Sequence, residues 1–71
     1  MMHENRNITI LGAGNWGTTL AVILAEQGHK VRLWEYLPKV AEEIQQTRQN
    51  RQFLPGITIP DGVKVSSDLN L

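Results

Sequence analysis

Apolar and polar positions change period repeatedly along this chain, and each change marks an element. Ile8 to Leu11 is a short apolar run with β-branched members, stopped at Gly12, which predicts a buried strand. From Asn15 the apolar positions fall at helical spacing, Trp16, Leu20, Ile23 and Leu24, until Gly28 offers a stop. This predicts a helix whose large apolar stripe faces a sheet, with Ala21 and Ala25 allowing close approach. "KVRLWE" then alternates, Val31 and Leu33 on one face and Lys30 and Arg32 on the other, as a second strand does. Pro38 suits the first turn of a helix, and Val40, Ala41 and Ile44 follow at helical spacing before the pattern fades near Arg48. "NRQFLPGITIPDG" carries two prolines and two glycines and reads as a structured loop, after which "VKVSSD" (63–68) alternates as a third strand.

The order β-α-β-α-β implies parallel strands joined by right-handed crossovers, an α/β fold. A polar leader occupies 1–7. Residues 8–71 read as part of one domain, with the sequence stopping where another helix should begin. A chain of 71 residues has room for one small domain, and at this size a single core leaves stability marginal.

Composition removes several classes of function. There are no cysteines, so neither a disulfide nor a Cys-based metal site is available, and His3 and His29 lack metal-ligand spacing. Seven basic and seven acidic residues balance, which argues against a nucleic-acid or anionic-membrane partner. The longest apolar stretch, "LAVILA", is far too short to span a bilayer, and the leader lacks the apolar core of a secretory signal. The expectation is a cytoplasmic protein without metal.

The chemistry lies in the first crossover. Gly12, Gly14 and Gly17 form G-x-G-x-x-G between a strand and a helix. In that setting the first glycine permits the tight turn, the second lets backbone approach a pyrophosphate, and the third lets helix and strand pack. The helix N-terminus offers N–H groups and a positive dipole end to phosphates, and Thr18 and Thr19 are candidate hydroxyl donors. Glu35 lies 18 residues beyond Gly17, close to the spacing at which an acid meets the adenosine ribose. A carboxylate there accepts from the ribose hydroxyls and repels a 2′-phosphate, which favours NAD over NADP. Plainer readings stand beside these: Glu35 as a solvated carboxylate at a strand end, Trp16 as a helix residue packed on the sheet, and Tyr36 as a half-exposed aromatic beside Pro38.

"GAGNWGTTLA" (12–21), "VRLWEY" (31–36) and "NRQFLPG" (50–56), in this order and spacing, resemble the NAD(P)-dependent glycerol-3-phosphate dehydrogenases. The resemblance implies the N-terminal half of a doubly wound, Rossmann-type sheet of order 3-2-1-4-5-6. It implies a cytoplasmic enzyme, a homodimer at full length, that reduces dihydroxyacetone phosphate to sn-glycerol 3-phosphate for phospholipid synthesis. By matching position, Asn15 and Trp16 contact the cofactor's diphosphate region, and Glu35 and Tyr36 flank its adenosine end. Many bacterial relatives carry a small residue and then His-Arg there; Glu-Tyr departs from that pattern toward NAD. The "QFLPG" loop is assigned a structural role with a share in closing the nucleotide site. The family's catalytic lysines and phosphate-gripping residues are expected beyond position 71, so Lys30, Lys39 and Lys64 are given no catalytic role. Two other readings remain: a non-enzymatic, redox-sensing dinucleotide module, and a relative of the 6-phosphogluconate or hydroxyacyl-CoA dehydrogenases, which "NRQFLPG" disfavours.

Overall fold

A computed structural model describes residues 5–69. Three strands and two helices alternate as β1 (Asn7–Leu11), α1 (Asn15–Glu26), β2 (Lys30–Trp34), α2 (Pro38–Thr47) and β3 (Val63–Ser66). The strands pair in parallel in the order β1-β2-β3. This is the 3-2-1 portion of the doubly wound order. β1 begins one residue before the expected strand, and β3 is two residues shorter than "VKVSSD".

Register places Ile8, Val31 and Val63 abreast, with Ile10, Leu33 and Val65 as the next row on that face. Both helices cover this face, because two successive right-handed crossovers in one direction put their helices on the same side. Val31, Leu33, Val63 and Val65 are buried there against Ala21, Ala41 and Ile44. The opposite face carries Thr9, Arg32 and Lys64 in register, all exposed.

Two expectations need correcting. Leu11 is 68% exposed, so β1 is not a buried strand. A parallel strand reads as apolar on both faces because both are normally covered, whereas here one face is open and β1 lies at the sheet edge. The stripe of α1 is also shifted: Leu24 packs on the core and Ala21 and Ala25 approach the sheet as expected, but the other large residues do not. Trp16, Leu20 and Ile23 are 86%, 48% and 46% exposed, while Thr18 and Ala21 are fully buried. The helix sits too close to the sheet for those large side chains, and its small residues make the contact.

The reason for that closeness is Gly17. A Cβ built there would lie 2.0 Å from the Gly12 carbonyl oxygen, so α1 starts in direct contact with the end of β1. The helix stops as expected: Gly28 has φ +94°, its N–H donates to the Ala25 carbonyl, and the His29 N–H donates to the Leu24 carbonyl. These paired bonds satisfy carbonyls left over at a helix C-terminus.

The loop from 48 to 62 is pinned by Arg48, a non-glycine residue in the left-handed region (φ +59°). Its guanidinium donates to the carbonyls of Ile59, Pro60 and Val63. Gln45 Oε1 accepts from the Val65 N–H at 2.7 Å. The outer edge of β3 is thereby covered with side-chain hydrogen bonds. Among the described residues, no strand pairs with the outer side of β1. No helix among them is long and apolar enough to cross a membrane.

Candidate dinucleotide site

The glycine turn begins at the carboxyl end of β1. The Gly12 N–H donates to the Trp34 carbonyl at 2.8 Å, which seats the turn beside the end of β2. Gly12 has φ +106°, a conformation that only glycine adopts readily, and the chain there reverses into α1. Gly14 is the N-cap of α1, extended at φ −72° and ψ −172°, and no side chain caps the helix. The first-turn N–H groups therefore carry no side-chain acceptor, a state that suits an anionic ligand.

The three glycines differ in what the protein itself requires of them. Gly12 needs its positive φ, and Gly17 needs its missing Cβ. Gly14 needs neither, since its φ suits any residue and a Cβ there would meet nothing within 4 Å. The space over Gly14 is open to something outside the chain.

Glu35 and Tyr36 follow β2 directly, adjacent to the turn. The Glu35 backbone N–H donates to the Ser66 carbonyl at 2.9 Å, extending the sheet by one bond. Most of the residue is buried, with only 8% exposed, and the oxygen without a hydrogen bond keeps access to solvent. Oε1 accepts from the Leu37 N–H at 3.2 Å, just ahead of α2, and Oε2 has no hydrogen bond among the described residues. Tyr36 is exposed, its ring centroid 6.4 Å from that of Trp34. Asn15 and Trp16 are exposed on the first turn of α1, and Asn15 Oδ1 accepts from the Thr19 hydroxyl at 3.4 Å. Trp16 is thus not packed on the sheet. All seven candidate residues lie at the carboxyl ends of the strands, where open α/β sheets bind ligands.

One candidate donor is corrected. Thr18 is fully buried, and its hydroxyl donates back to the Ala13 carbonyl at 3.2 Å, so it is not available to a phosphate. Its partner is a residue the sequence did not single out by chemistry, Asn50, which opens "NRQFLPG". Asn50 Nδ2 donates to the Ala13 carbonyl at 2.6 Å and to Thr18 Oγ1 at 2.9 Å. The motif marked the loop; a contact across 37 residues carries no local signal.

A glycine turn that feeds an uncapped helix at the carboxyl end of a parallel sheet defines the Rossmann-type α/β class. Comparison with known proteins narrows this. The family model described as "NAD-dependent glycerol-3-phosphate dehydrogenase N-terminus" matches residues 7–71, and the chain belongs to that family. It is 54% identical over 63 residues to a glycerol-3-phosphate dehydrogenase [NAD(P)+] of Prosthecochloris aestuarii, covering 89% of this chain and 19% of that protein. A second such relative, from Chlorobium phaeobacteroides, is 52% identical over 62 residues, covering 87% of this chain and 19% of that protein. The crystal structure of glycerol-3-phosphate dehydrogenase from Coxiella burnetii superposes with a TM-score of 0.86 at 45% identity, over 92% of this chain and 20% of that one. This chain therefore spans about a fifth of the length of the relatives it matches.

Proposed function

We propose that this chain is the N-terminal cofactor-binding segment of a glycerol-3-phosphate dehydrogenase. Such an enzyme reduces dihydroxyacetone phosphate to sn-glycerol 3-phosphate with a nicotinamide dinucleotide. The bound cofactor supplies hydride to C2 of the ketone, and the protein supplies position and charge. Gly14 carries the reading, because its missing side chain serves neither the turn nor the packing of this chain and opens a path for a pyrophosphate. Gly12 shapes the turn, Gly17 seats the helix, Asn15 and Trp16 border the diphosphate, and Glu35 with Tyr36 borders the adenosine ribose. None of this chain's side chains is assigned to catalysis.

The cofactor preference follows from Glu35. Oε1 is held by the Leu37 N–H, which aims a fixed carboxylate rather than a mobile one, and Oε2 remains to accept from a ribose hydroxyl. A 2′-phosphate brought against that fixed charge is disfavoured by several kcal/mol. The full-length protein is expected to oxidise NADH with dihydroxyacetone phosphate. Glu35→Ala and Glu35→Arg should raise kcat/KM for NADPH relative to NADH by about tenfold or more, equal to roughly 1.4 kcal/mol. Steady-state assays with both cofactors test this. No NADH oxidation above background rejects the activity, and a wild type that prefers NADPH with variants that change nothing rejects the role of Glu35.

Taken alone, the 71-residue chain is expected either to fold poorly or to self-associate, and to bind NAD weakly if at all. The outer N–H and C=O groups of β1 face away from β2 beside exposed Leu11, whereas Arg48 and Gln45 cover the corresponding edge of β3. Open strand edges pair with other chains. Gel filtration coupled to light scattering measures this; a monodisperse monomer with micromolar NAD affinity contradicts it.

A further inference from the structure

The Ala13 carbonyl accepts two side-chain hydrogen bonds, one from Asn50 Nδ2 and one from the Thr18 hydroxyl. Asn50 is 3% exposed and Thr18 is fully buried, so both bonds lie on the protein side of the glycine turn. The Asn50 amide uses both of its N–H groups, one on the Ala13 carbonyl and one on Thr18 Oγ1. Its Oδ1 accepts from the Phe53 N–H at 3.4 Å, and its own carbonyl accepts from the Leu54 N–H at 2.8 Å. The three groups close a triangle in which each donor has an acceptor.

The consequence falls on the next atom along the chain. In a trans peptide the carbonyl of one residue and the N–H of the next point in opposite directions. The Ala13–Gly14 peptide is trans. Holding the Ala13 oxygen inward therefore turns the Gly14 N–H outward, into the space where a Cβ on Gly14 would meet nothing. That orientation needs holding. Glycine accepts positive and negative φ almost equally, so the residue that opens room for a phosphate also lets its preceding peptide plane turn over. A turned plane presents a carbonyl dipole, negative end outward, to an anionic ligand.

We propose that Asn50 is a positioning residue for dinucleotide binding: with Thr18 it locks the Ala13–Gly14 peptide so that the Gly14 N–H faces the pyrophosphate. The proposal rests on the dinucleotide reading above. It explains the residue type, since two donors are needed at one buried point and only an amide of this length offers them. An aspartate would set acceptors against the Ala13 carbonyl, and an alanine would leave that carbonyl and Thr18 with one bond fewer. It also gives the loop a purpose: α2 and the Arg48 latch deliver Asn50 to the rear of the glycine turn without touching the ligand.

The test uses the full-length protein. NADH binding is followed by calorimetry and, in 15N-labelled protein, by the Gly14 amide resonance. In the wild type, NADH is expected to shift the Gly14 N–H downfield, the signature of a new charge-assisted hydrogen bond. Asn50→Ala and Asn50→Asp should raise the NADH dissociation constant about tenfold or more, well below their melting temperatures, and diminish that shift. Thr18→Ser, which keeps the hydroxyl, should bind as the wild type does, and Thr18→Val should weaken binding non-additively with Asn50→Ala. A wild-type Gly14 resonance unmoved by bound NADH overturns the proposal even if no variant folds. Asn50 variants that melt earlier yet bind NADH normally also overturn it, leaving a structural role alone. A wild type that binds no NADH by calorimetry rejects the dinucleotide reading and the proposal together.

Discussion

Gly17→Ala is expected to disrupt the domain although it adds a single methyl group. The new Cβ lies 2.0 Å from the Gly12 carbonyl oxygen, 3.3 Å from the Gly12 carbonyl carbon and 3.4 Å from Ile10 Cγ2. Two of these atoms are backbone and cannot rotate away. Relief requires α1 to lift from the end of β1, and the same lift withdraws Thr18 and Ala21 from complete burial. Overpacking of this kind costs about 3 kcal/mol or more. Alanine's better helix propensity returns only about 1 kcal/mol of that. For a domain of this size each net kcal/mol lowers the melting temperature by roughly 4–8 °C. Thermal melts of parent and variant measure it, and a variant that melts at or above the parent temperature contradicts this seating of α1.

Gly14→Val is expected to do the reverse, leaving the fold and removing the ligand. Nothing lies within 4 Å of a Cβ at this position, and φ −72° suits any L residue. The fold cost is that of a poorer N-cap, about 1 kcal/mol at most. The valine methyl groups, however, occupy the open space over the turn through which a pyrophosphate approaches under the proposed function. NADH and NADPH should both bind about a hundredfold more weakly, with the melting temperature of the free protein lowered by about 4–8 °C at most. Equal weakening separates this effect from the charge effect of Glu35, which divides the two cofactors. Unchanged binding by Gly14→Val moves the pyrophosphate elsewhere. Two glycines three positions apart in one motif thus give opposite signatures, one in melting and one in binding.

Much of this was legible along the chain. Alternation in "KVRLWE" separated the two faces of β2 and alternation in "VKVSSD" marked β3, because a strand's period of two cannot change face without a bulge. Pro38 and Gly28 marked a helix start and a helix stop through their own backbone limits, which no distant contact alters. The glycine spacing located the turn for the same reason. Such signals are local, carried by the covalent geometry of a few adjacent residues.

Helix α1 was not legible in this way. Its sequence offers two apolar stripes, a large one through Trp16, Leu20 and Ile23 and a small one through Thr18, Ala21 and Ala25. Hydrophobicity favours the first; the contact of Gly17 with Gly12 imposes the second. The exposure of Leu11 was not legible because burial of a parallel strand depends on what covers its second face, and nothing in the five residues of β1 records that.

The sequence by itself determined the order and direction of the elements, the place of the glycine turn and the acid that follows β2. These depend on periodicity, on glycine and proline backbone limits, and on spacing along one chain. The tertiary structure alone decided which stripe of α1 meets the sheet, that Glu35 is buried with one oxygen engaged, and that Asn50 reaches Ala13 across 37 residues. The first depends on how closely two backbones approach, which the absent Cβ of Gly17 permits beside the Gly12 carbonyl; the other two depend on which distant segments the fold brings together.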